Sequence, residues 1–586
     1  MPLIPGPAAA GPGLLFQTSA MNIFRHAIAG LACIAASATI AEPALQDFSP
    51  SVLTDVNGTL FVVAKDGEHG YELWKIERAA SKPVLVKDIF PGPRGSYPSS
   101  LTRFGDVVLF TANDGVSGLE LWKTDGTAAG TQLVKDIRAG AEDSLPNSFT
   151  ELNGALYFVA DDGQHGFELW KTQGTRASTV LVADLVPGAV GSIPRQLVRV
   201  GTKLFFSAYD EQAGRELWVS DGTAGGTRRV KDIRPGPEDS TPDLLTDVNG
   251  TLFFVAGDGK HGLELWKSDG TEAGTVMVKD IYAGPDSAQP RYLTNVGGTL
   301  FFAAADGKNG FELWKSDGTA QGTLLVKDIY PGRASSVPSF LTNVDGTLFF
   351  AAADGLHGVE LWKSDGTPAG TTLVKDIRPG AGHSVPRHFT KAGARVVFAA
   401  NDEHGTRLWQ SDGSAAGTVP LGHSHTPMML SNPRELVLSQ GKLFAIAEDA
   451  AGSTFLHSVE VKPPLPERAG VVPWKIFAQV QVRRANGRFV PEFSQALAAL
   501  DQKTITVEGF MFPLDDNDEH AVFILSAVAP ECDIHMPGGP EAVIEVHPER
   551  PLAYSDDPIT LVGKLSVLKA EPSGIFYRLT VAVPAK

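Results

Sequence analysis

A nearly identical phrase returns along most of this chain at a fixed interval. "ELWKSDGTPAGTTLVKDIRPG" starts at Glu360 and "ELWKSDGTAQGTLLVKDIYPG" starts at Glu312. The tryptophan of the phrase recurs six times after 48 residues and once after 47, at positions 74, 122, 170, 218, 266, 314, 362 and 409. A fixed period of this size indicates an array of supersecondary units that share one core by stacking.

Each unit contains four β-prone segments. In the unit from residue 293 they are Leu293–Val296, Leu300–Ala304, Phe311–Ser316 and Thr323–Ile329. Gly-Gly or Asp-Gly pairs separate these segments, and tight hairpins favour such pairs because a positive φ costs glycine little. No segment has helical periodicity. Each unit is therefore predicted to be a four-stranded antiparallel meander.

The second segment, "LFFAAA" in this unit, is apolar on both faces. A strand needs this pattern when its sheet is covered on both sides, as in sheets stacked around an axis. A β-helix is the alternative, but its rungs are shorter than this period. The prediction is an all-β chain with a large β-propeller over residues 45–461.

The number of blades is open between eight and nine. Eight units carry the tryptophan, and a ninth, Glu435–Val461, fits the same frame with His457 at the tryptophan position. Leu45–Pro50 is similar to the end of a fourth strand. This N-terminal segment is thus a candidate to complete the ninth unit and close the ring.

The N-terminus has the pattern of a secretory signal that starts at Met21. Arg25 lies in a short polar start, an apolar run begins at Ala27, and small residues precede a cleavage point after Ala41. We therefore expect translation to begin at Met21, removal of residues 1–41, and a secreted or periplasmic protein. No apolar run of about 18 residues follows, so no transmembrane segment is expected.

Charge and cysteine content narrow the classes further. The net charge of -17 argues against nucleic acid as a partner. Cys33 lies inside the signal, and Gly30 stands where a lipoprotein acceptor site has a bulky residue, so a lipid anchor is not expected. After cleavage Cys532 is alone, which excludes an internal disulfide.

The repeated tryptophan and glutamate favour architecture over chemistry. The tryptophan is predicted to fill the blade-to-blade core. Glu264 and Lys279 are predicted to pair across a hairpin, and the same pair is expected in every unit except the third, where Ala183 would leave Glu168 unpaired. A ring of catalytic carboxylates is the alternative, but catalysis needs one asymmetric site.

The "DGxHG" hairpin tips invite a metal hypothesis. Histidines recur there at His69, His165, His261, His357 and His404, with aspartates at Asp66, Asp162, Asp258 and Asp354. The favoured interpretation is structural: aspartate caps the turn, and histidine adopts the left-handed conformation. A metal ring, or Ca²⁺ bound one blade at a time, is the alternative, although a full calcium-loop run of carboxylates is lacking.

The phrase "ELWKSDGTxxGTxLVKDI" resembles the bacterial ELWxxDGT repeat family of secreted and surface proteins. The resemblance covers residues 45–461. It implies a propeller-like repeat and no defined activity.

A Pro-rich linker, residues 462–473, separates the repeats from a second domain at 474–586. The domain contains five β-prone segments, "KTITVEGFMF", "HAVFILSAV", "AVIEVHP", "ITLVGKLSVL" and "FYRLTVAV". Its single helix candidate is Glu492–Leu500. This content predicts a small closed barrel, with an OB-like fold as the candidate type.

In the same domain, "VEGFMFPLDD", "CDIHMPGGPEAVIEV" and "VGKLSV" resemble a periplasmic domain family of unknown function. That resemblance implies a site at Cys532 and His535, followed by Pro537 and Pro540. Cys-x-x-His is a two-ligand clip suited to Zn²⁺ or copper. The alternative is a buried cysteine and a turn histidine, because nothing in the sequence brings His520 or His547 close.

These features favour an extracytoplasmic binding or scaffold protein that presents a propeller face to a protein or carbohydrate. The alternative is an enzyme, either a hydrolase or lyase in the central funnel or a metal-dependent redox or trafficking function at Cys532. The funnel discriminates between them: an enzyme should show convergent, non-repeated polar residues there.

Overall fold

The computed structural model describes residues 48–77, 82–415, 417–421, 431–449, 451–461, 465, 468–477, 479–485, 488–515, 517–527, 543–555, 557–569 and 575–585. The signal segment and residues 528–542, which include Cys532 and His535, lie outside these ranges. Within them, no helix has the length and apolar character needed to cross a membrane.

The repeats form four-stranded antiparallel sheets, here called blades and numbered along the chain. Blade 1 contains β1 (Ser49–Val56), β2 (Thr59–Lys65), β3 (Glu72–Ile76) and β4 (Val84–Lys87). Blade 2 contains β5 (Ser99–Phe104), β6 (Val107–Asn113), β7 (Leu119–Thr124) and β8 (Gln132–Lys135). Blade 3 contains β9 (Asn147–Leu152), β10 (Ala155–Asp161), β11 (Phe167–Thr172) and β12 (Val180–Ala183). Blade 4 contains β13 (Arg195–Val200), β14 (Lys203–Asp210), β15 (Gly214–Ser220) and β16 (Arg228–Lys231).

The remaining five blades continue the pattern. Blade 5 contains β17 (Asp243–Val248), β18 (Thr251–Gly257), β19 (Leu263–Ser268) and β20 (Val276–Lys279). Blade 6 contains β21 (Arg291–Val296), β22 (Thr299–Ala305), β23 (Phe311–Ser316) and β24 (Leu324–Lys327). Blade 7 contains β25 (Ser339–Val344), β26 (Thr347–Ala353), β27 (Val359–Ser364) and β28 (Thr372–Lys375). Blade 8 contains β29 (Arg387–Ala392), β30 (Arg395–Asp402), β31 (Gly405–Ser411) and β32 (Val419–Pro420), and blade 9 contains β33 (Ser431–Ser439), β34 (Lys442–Glu448) and β35 (Thr454–Glu460).

The blades form a nine-membered ring with the first strands innermost. First strands of neighbouring blades lie side by side, and some are joined by hydrogen bonds, such as the 2.8 Å bond from the Thr150 hydroxyl to the Leu197 carbonyl. A separate hydrophobic cluster fills each of the nine blade-to-blade interfaces. The predicted all-β propeller is confirmed, and the number of blades is nine.

Blade 9 closes the ring by packing against blade 1. Trp74 shares a cluster with Phe444 and Ile446, and the Ser439 hydroxyl donates a 2.5 Å hydrogen bond to the Asp55 carboxylate. Ser49 and Pro50 begin the innermost strand of blade 1. They therefore do not form a fourth strand for blade 9, as the sequence had suggested, because their backbone pairs with Lys65 and Ala64 of β2.

The tryptophans occupy the predicted place. Trp266 of blade 5 packs against Leu217 and Val230 of blade 4, and its exposed fraction is 6%. The other tryptophans of the repeat are equally buried. The interface between blades 8 and 9 has no tryptophan in its cluster, because His457 stands at that position.

The second domain is a closed five-stranded barrel preceded by short elements. These elements are α1 (Trp474–Phe477), β36 (Val480–Ala485), β37 (Arg488–Phe493) and α2 (Gln495–Ala498). The later strands are β38 (Thr504–Pro513), β39 (Glu519–His520), β40 (Phe523–Ser526), β41 (Val543–Pro548), β42 (Leu552–Ala553), β43 (Ile559–Val567) and β44 (Tyr577–Pro584). The barrel order is β38-β40-β41-β44-β43, which uses all five predicted segments.

The helix of this domain is shorter than the predicted Glu492–Leu500. Glu492 and Phe493 belong to β37, and the helix begins where the Ser494 hydroxyl accepts a hydrogen bond from the Leu497 N–H. Ser494 is therefore the N-cap, which ends the strand and starts the helix.

Candidate functional site

The propeller has one face at which every first strand begins, here called the entry face. The strands of a blade alternate in direction, so the loop between blades and the hairpin between strands two and three also lie at this face. The opposite face carries the short turns between strands one and two and between strands three and four. The entry face is thus the loop-rich end of the central channel.

A β-bulge opens the first strand in seven consecutive blades. In β21 the pairing with β22 slips between Arg291 and Thr294, and Tyr292 in the bulge has a φ of 56°. The equivalent residues, here called the bulge ring, are Ser100, Ser148, Gln196, Leu244, Tyr292, Phe340 and His388, all with positive φ. Bulges re-aim side chains and are frequent beside functional sites.

A second strained residue stands just before each bulge. It is the middle residue of a recurring three-residue segment in the loop between blades, such as Ser336-Val337-Pro338, and Val337 has a φ of 48°. The equivalent non-glycine residues are Tyr97, Leu145, Ile193, Thr241, Gln289, Val337 and Val385. Positive φ at residues with large side chains is costly and marks a backbone that the surrounding structure holds in place.

The bulge ring is asymmetric although its backbone is repeated. Blades 2 and 3 carry serine, whereas blades 6 and 7 carry Tyr292 and Phe340, which are 41% and 38% exposed. The ring centroids of these two aromatic residues are 6.1 Å apart, and Phe389 of blade 8 lies 6.3 Å from Phe340. Tyr292, Phe340 and Phe389 form an aromatic arc on the inner ring.

Next to the arc, blades 4 to 6 enclose a cleft with a volume of about 480 Å³. Its lining includes Arg195, Gln196, Arg215, Asp239, Asp243 and Arg291. Arg215 occurs once in the ring, because the other four-stranded blades have Tyr71, Leu119, Phe167, Leu263, Phe311, Val359 and Thr406 at its position. Arg195, Asp243, Arg291 and Arg387 share one repeat position, and Asp239 corresponds to Asp143 of the loop after blade 2. Polar side chains therefore converge at the entry face, and among the charged ones Arg215 is specific to blade 4.

In the cleft, both carboxylates accept hydrogen bonds from protein groups, and Arg215 is bound to backbone carbonyls rather than to a carboxylate. Asp239 accepts a 2.7 Å bond from the backbone N–H of Arg215, and Asp243 accepts from the side chain of Gln196 and the N–H of Leu244. Arg215 donates to the Ile193 carbonyl at 3.0 Å. Burial, and then the nearby charge of Arg195, lower the pKa of Arg215.

The repeated glutamates are buried architectural groups, and the predicted pairing of Glu264 with Lys279 is wrong. A bulge between Leu265 and Trp266 places Lys279 opposite Leu265, so the lysine leaves the face that carries the glutamate. Glu264 instead accepts hydrogen bonds from the N–H groups of Ile281 and Ala288 in the loop between blades.

The same anchor exists in the third blade, where the sequence predicted an unpaired Glu168. Glu168 is fully buried and accepts bonds from the N–H of Val186 and from both the N–H and the hydroxyl of Ser192. The alanine at position 183 therefore leaves the hydrogen bonds of Glu168 unchanged. The seven buried glutamates are Glu72, Glu120, Glu168, Glu216, Glu264, Glu312 and Glu360.

The repeated lysines connect neighbouring blades. The Lys327 ammonium donates a 2.8 Å hydrogen bond to the Thr371 carbonyl of blade 7 and lies 5.8 Å from the ring centroid of Trp362. Lys279 contacts Thr323 and Trp314 in the same way. A cation over a desolvated indole stabilises the interface, so these lysines join blades rather than strands.

The hairpin tips have the aspartate cap that the sequence predicted, but not the left-handed histidine. Asp258 accepts hydrogen bonds from the N–H groups of Lys260 and His261, and the His261 ring lies 2.8 Å from the same carboxylate. The left-handed conformation falls on Gly259 and Gly262 rather than on the histidine. In the part of the chain that the structure describes, no three histidine, cysteine or acidic side chains are grouped as metal ligands.

The predicted metal ligands Cys532 and His535 lie outside the described residues. The two other histidines of the domain have their own partners: His520 is buried 2.7 Å from Asp515, and His547 contacts Glu545. The sequence hypothesis of a Zn²⁺ or copper site therefore stays a prediction.

Comparison with known proteins yields distant structural likenesses. No protein-family model matches the chain, and no curated protein does either. A puromycin hydrolase shares 15% identity and a TM-score of 0.33, over 60% of this chain and 58% of the hydrolase. A prolyl endopeptidase structure shares 10% identity and a TM-score of 0.35, over 63% of this chain and 55% of the endopeptidase. The propeller domain of the Trilobed protease from Pyrococcus furiosus shares 10% identity and a TM-score of 0.31, over 63% of this chain and 96% of that domain.

This chain thus covers less than two thirds of the two peptidases. Similarity at this level carries no argument about the activity of this chain.

Proposed function

We propose that this chain is an extracytoplasmic binding protein that holds an extended carbohydrate across the entry face of its propeller. The bulge ring is the observation that supports this most. One backbone geometry, repeated in seven blades, carries serine, glutamine, leucine, tyrosine, phenylalanine and histidine, whereas the Leu-Trp pair of the third strand is the same in eight blades. Side chains that vary where the backbone is constant are typical of a recognition surface on a scaffold.

The chemistry of the aromatic arc favours a carbohydrate. Exposed faces of Tyr292 and Phe340 suit the apolar C–H faces of sugar rings, and the tyrosine hydroxyl adds a polar contact. Gln289 and Arg291 in the adjoining cleft provide an amide and a guanidinium group for sugar hydroxyls. The signal pattern from Met21 and the single mature cysteine agree with a location outside the cytoplasm.

The test is binding of the full chain to a panel of immobilised polysaccharides. Replacing both arc residues, Tyr292→Ala with Phe340→Ala, should weaken binding at least about tenfold, since each aromatic contact contributes roughly 1 kcal/mol or more. Leu324→Ala is the matched control, because Leu324 is a 47% exposed apolar residue at the start of β24, on the opposite face of blade 6. Equal binding by both variants would contradict the proposal.

A hydrolase or lyase acting on the same ligand is the second candidate. The convergence of Arg195, Arg215, Asp239 and Asp243 in one cleft, with an arginine at position 215 that no other four-stranded blade has, favours it over a purely structural ring. Incubation of the bound polysaccharide with the full chain distinguishes the two functions. An enzyme releases new chain ends with time, whereas a binding protein returns the polymer unchanged.

A further inference from the structure

Positive charge collects in the cleft of a strongly acidic protein. The chain carries a net charge of -17, yet three arginines, Arg195, Arg215 and Arg291, line one cleft of blades 4 to 6. The two acids that face them, Asp239 and Asp243, already accept hydrogen bonds from the Arg215 N–H, the Gln196 amide and the Leu244 N–H. The cleft therefore contains more arginines than acids, and both acids already accept hydrogen bonds from neighbouring protein groups.

The three guanidinium groups differ in what they contact. Arg291 donates a 2.7 Å hydrogen bond to Gln289 and lies 4.8 Å from the ring centroid of Phe311. Arg215 uses one nitrogen on backbone carbonyls, at 3.0 Å from Ile193 and 3.4 Å from Ser207. Among the residues that the structure describes, the guanidinium of Arg195 has no hydrogen-bond or ion-pair partner.

Arg195 and Arg215 also repel each other. Arg195 begins β13 and Arg215 lies at the start of β15, so both belong to the entry-face end of blade 4. Burial and then the charge of Arg195 lower the pKa of Arg215, whereas the charge of Asp239 acts to raise it. Two like charges held in one cleft are stabilised when an anion lies between them, and the guanidinium fork matches a carboxylate in two parallel hydrogen bonds.

We infer that Arg195 and Arg215 form a carboxylate-binding subsite, and that the carbohydrate of the entry face is an acidic polysaccharide built from uronate sugars. This inference rests on the proposed function, since it assigns the charge of that same ligand. The sugar rings lie over Tyr292 and Phe340, and a uronate carboxylate reaches the cleft beside Arg291. An acidic protein segment is the competing ligand class. It would bind the arginines, but its acidic side chains have no flat apolar face to stack on Tyr292 and Phe340.

The experiment titrates the full chain with oligogalacturonate, its methyl ester, a neutral oligoglucoside and polyglutamate. Arg195→Gln should weaken binding of oligogalacturonate about tenfold, because a charged hydrogen-bond pair is lost, and should leave binding of the methyl ester unchanged. Wild-type affinity for the free acid should also decrease with added salt more steeply than that of the variant. Arg199→Gln is the control, since Arg199 is exposed on the same strand and contacts Gly201 at its far end.

Each failure has a different signature. Equal affinity for acid and ester, with no effect of Arg195→Gln, would overturn the carboxylate subsite and leave the carbohydrate function standing. No binding of any carbohydrate would overturn the proposed function itself. Polyglutamate bound as tightly as oligogalacturonate, and through Arg195, would overturn the uronate assignment in favour of an acidic protein. The unfolding midpoint of each variant excludes loss of the fold as the cause.

Discussion

The Ser336 hydroxyl donates a 2.6 Å hydrogen bond to the fully buried carboxylate of Glu312, 24 residues earlier in the chain. The same carboxylate accepts from the N–H groups of Ile329 and Ser336. One side chain of blade 6 thereby fixes the loop that leads into blade 7. Because this loop positions the strained Val337 and the bulge at Phe340, the buried glutamate supports the entry face from behind.

Removing the hydroxyl should cost stability in a graded way. Ser336→Ala should lower the free energy of unfolding by about 1 kcal/mol, the loss of one hydrogen bond to a buried carboxyl group. The chain contains its own control, because residue 288, the equivalent position after blade 5, is alanine. Ala288 gives Glu264 a hydrogen bond from its N–H and none from a side chain. Ala288→Ser should raise stability by about 1 kcal/mol. Denaturant unfolding measures both changes, and an unchanged or more stable Ser336→Ala variant would refute the anchor.

Stability should decrease as pH rises from weakly acidic to weakly basic. Burial raises the pKa of Glu120, Glu216, Glu264, Glu312 and Glu360 to about 7, against an ordinary value of 4.5, although their hydrogen-bond donors oppose this rise. A group whose folded pKa is raised contributes stability below its unfolded pKa and loses it as pH rises through the folded pKa. The tip histidines act in the same direction, since hydrogen bonds to their aspartates raise the pKa of His165 and His261.

The measurement is the free energy of unfolding between about pH 5 and pH 8, where these glutamates lose their protons. It should decrease across this range. At lower pH a second loss should appear, because backbone and histidine donors outweigh burial and lower the pKa of Asp162 and Asp258. A stability that rises steadily up to pH 8 would show that the buried glutamates are already ionised in the folded protein.

The interblade lysine can be tested by removal and by addition. Lys327→Met keeps most of the apolar stem but loses the hydrogen bond to Thr371 and the contact with Trp362, so stability should fall by about 1–2 kcal/mol. Blade 3 lacks this lysine, and Ala183→Lys should add the missing contact to blade 4. Opposite signs for the two variants are expected in denaturant unfolding, and a destabilising Ala183→Lys would contradict the interblade assignment.

The sequence hypothesis for Cys532 and His535 predicts bound metal in the full chain. Zinc or copper should be retained after purification and released as pH falls below about 6, because His535 then binds a proton. Cys532→Ser and His535→Ala should each abolish retention, whereas His404→Ala, on an exposed tip, should not. Mass spectrometry measures the metal content of each variant. Equal metal content in the wild type and in Cys532→Ser would contradict the hypothesis.

The strands and the ring followed from local chemistry. Asp-Gly and Gly-Gly pairs mark hairpins because the glycines at 307 and 318 adopt positive φ, and a strand apolar on both faces has to be covered on both sides. The tryptophan period then predicted stacked blades. These features depend on residues close in the chain, so the sequence expresses them directly.

The side of the sheet on which Lys279 lies and the bulge ring could not be predicted from the sequence, and the reason is the same for both. Both depend on a one-residue slip in strand pairing, between Leu265 and Trp266 for the lysine and between Arg291 and Thr294 for Tyr292. A slip of one residue moves a side chain to the other face without a glycine to mark it. The recurring Ser-x-Pro segment, 24 residues after every repeat glutamate except Glu264, is the signal from which the loop anchor could have been found.

Hydrogen–deuterium exchange of the full chain with bound polysaccharide tests the central claim most directly. Ligand on the entry face should slow exchange in peptides that contain residues 289–292 and 337–340, and leave the turns at 297–298 and 345–346 on the opposite face unchanged. The slowing should be strongest in blades 4 to 7, where the cleft and the aromatic arc lie. Protection spread equally over all nine blades, or confined to the opposite face, would contradict an asymmetric binding site at the entry face.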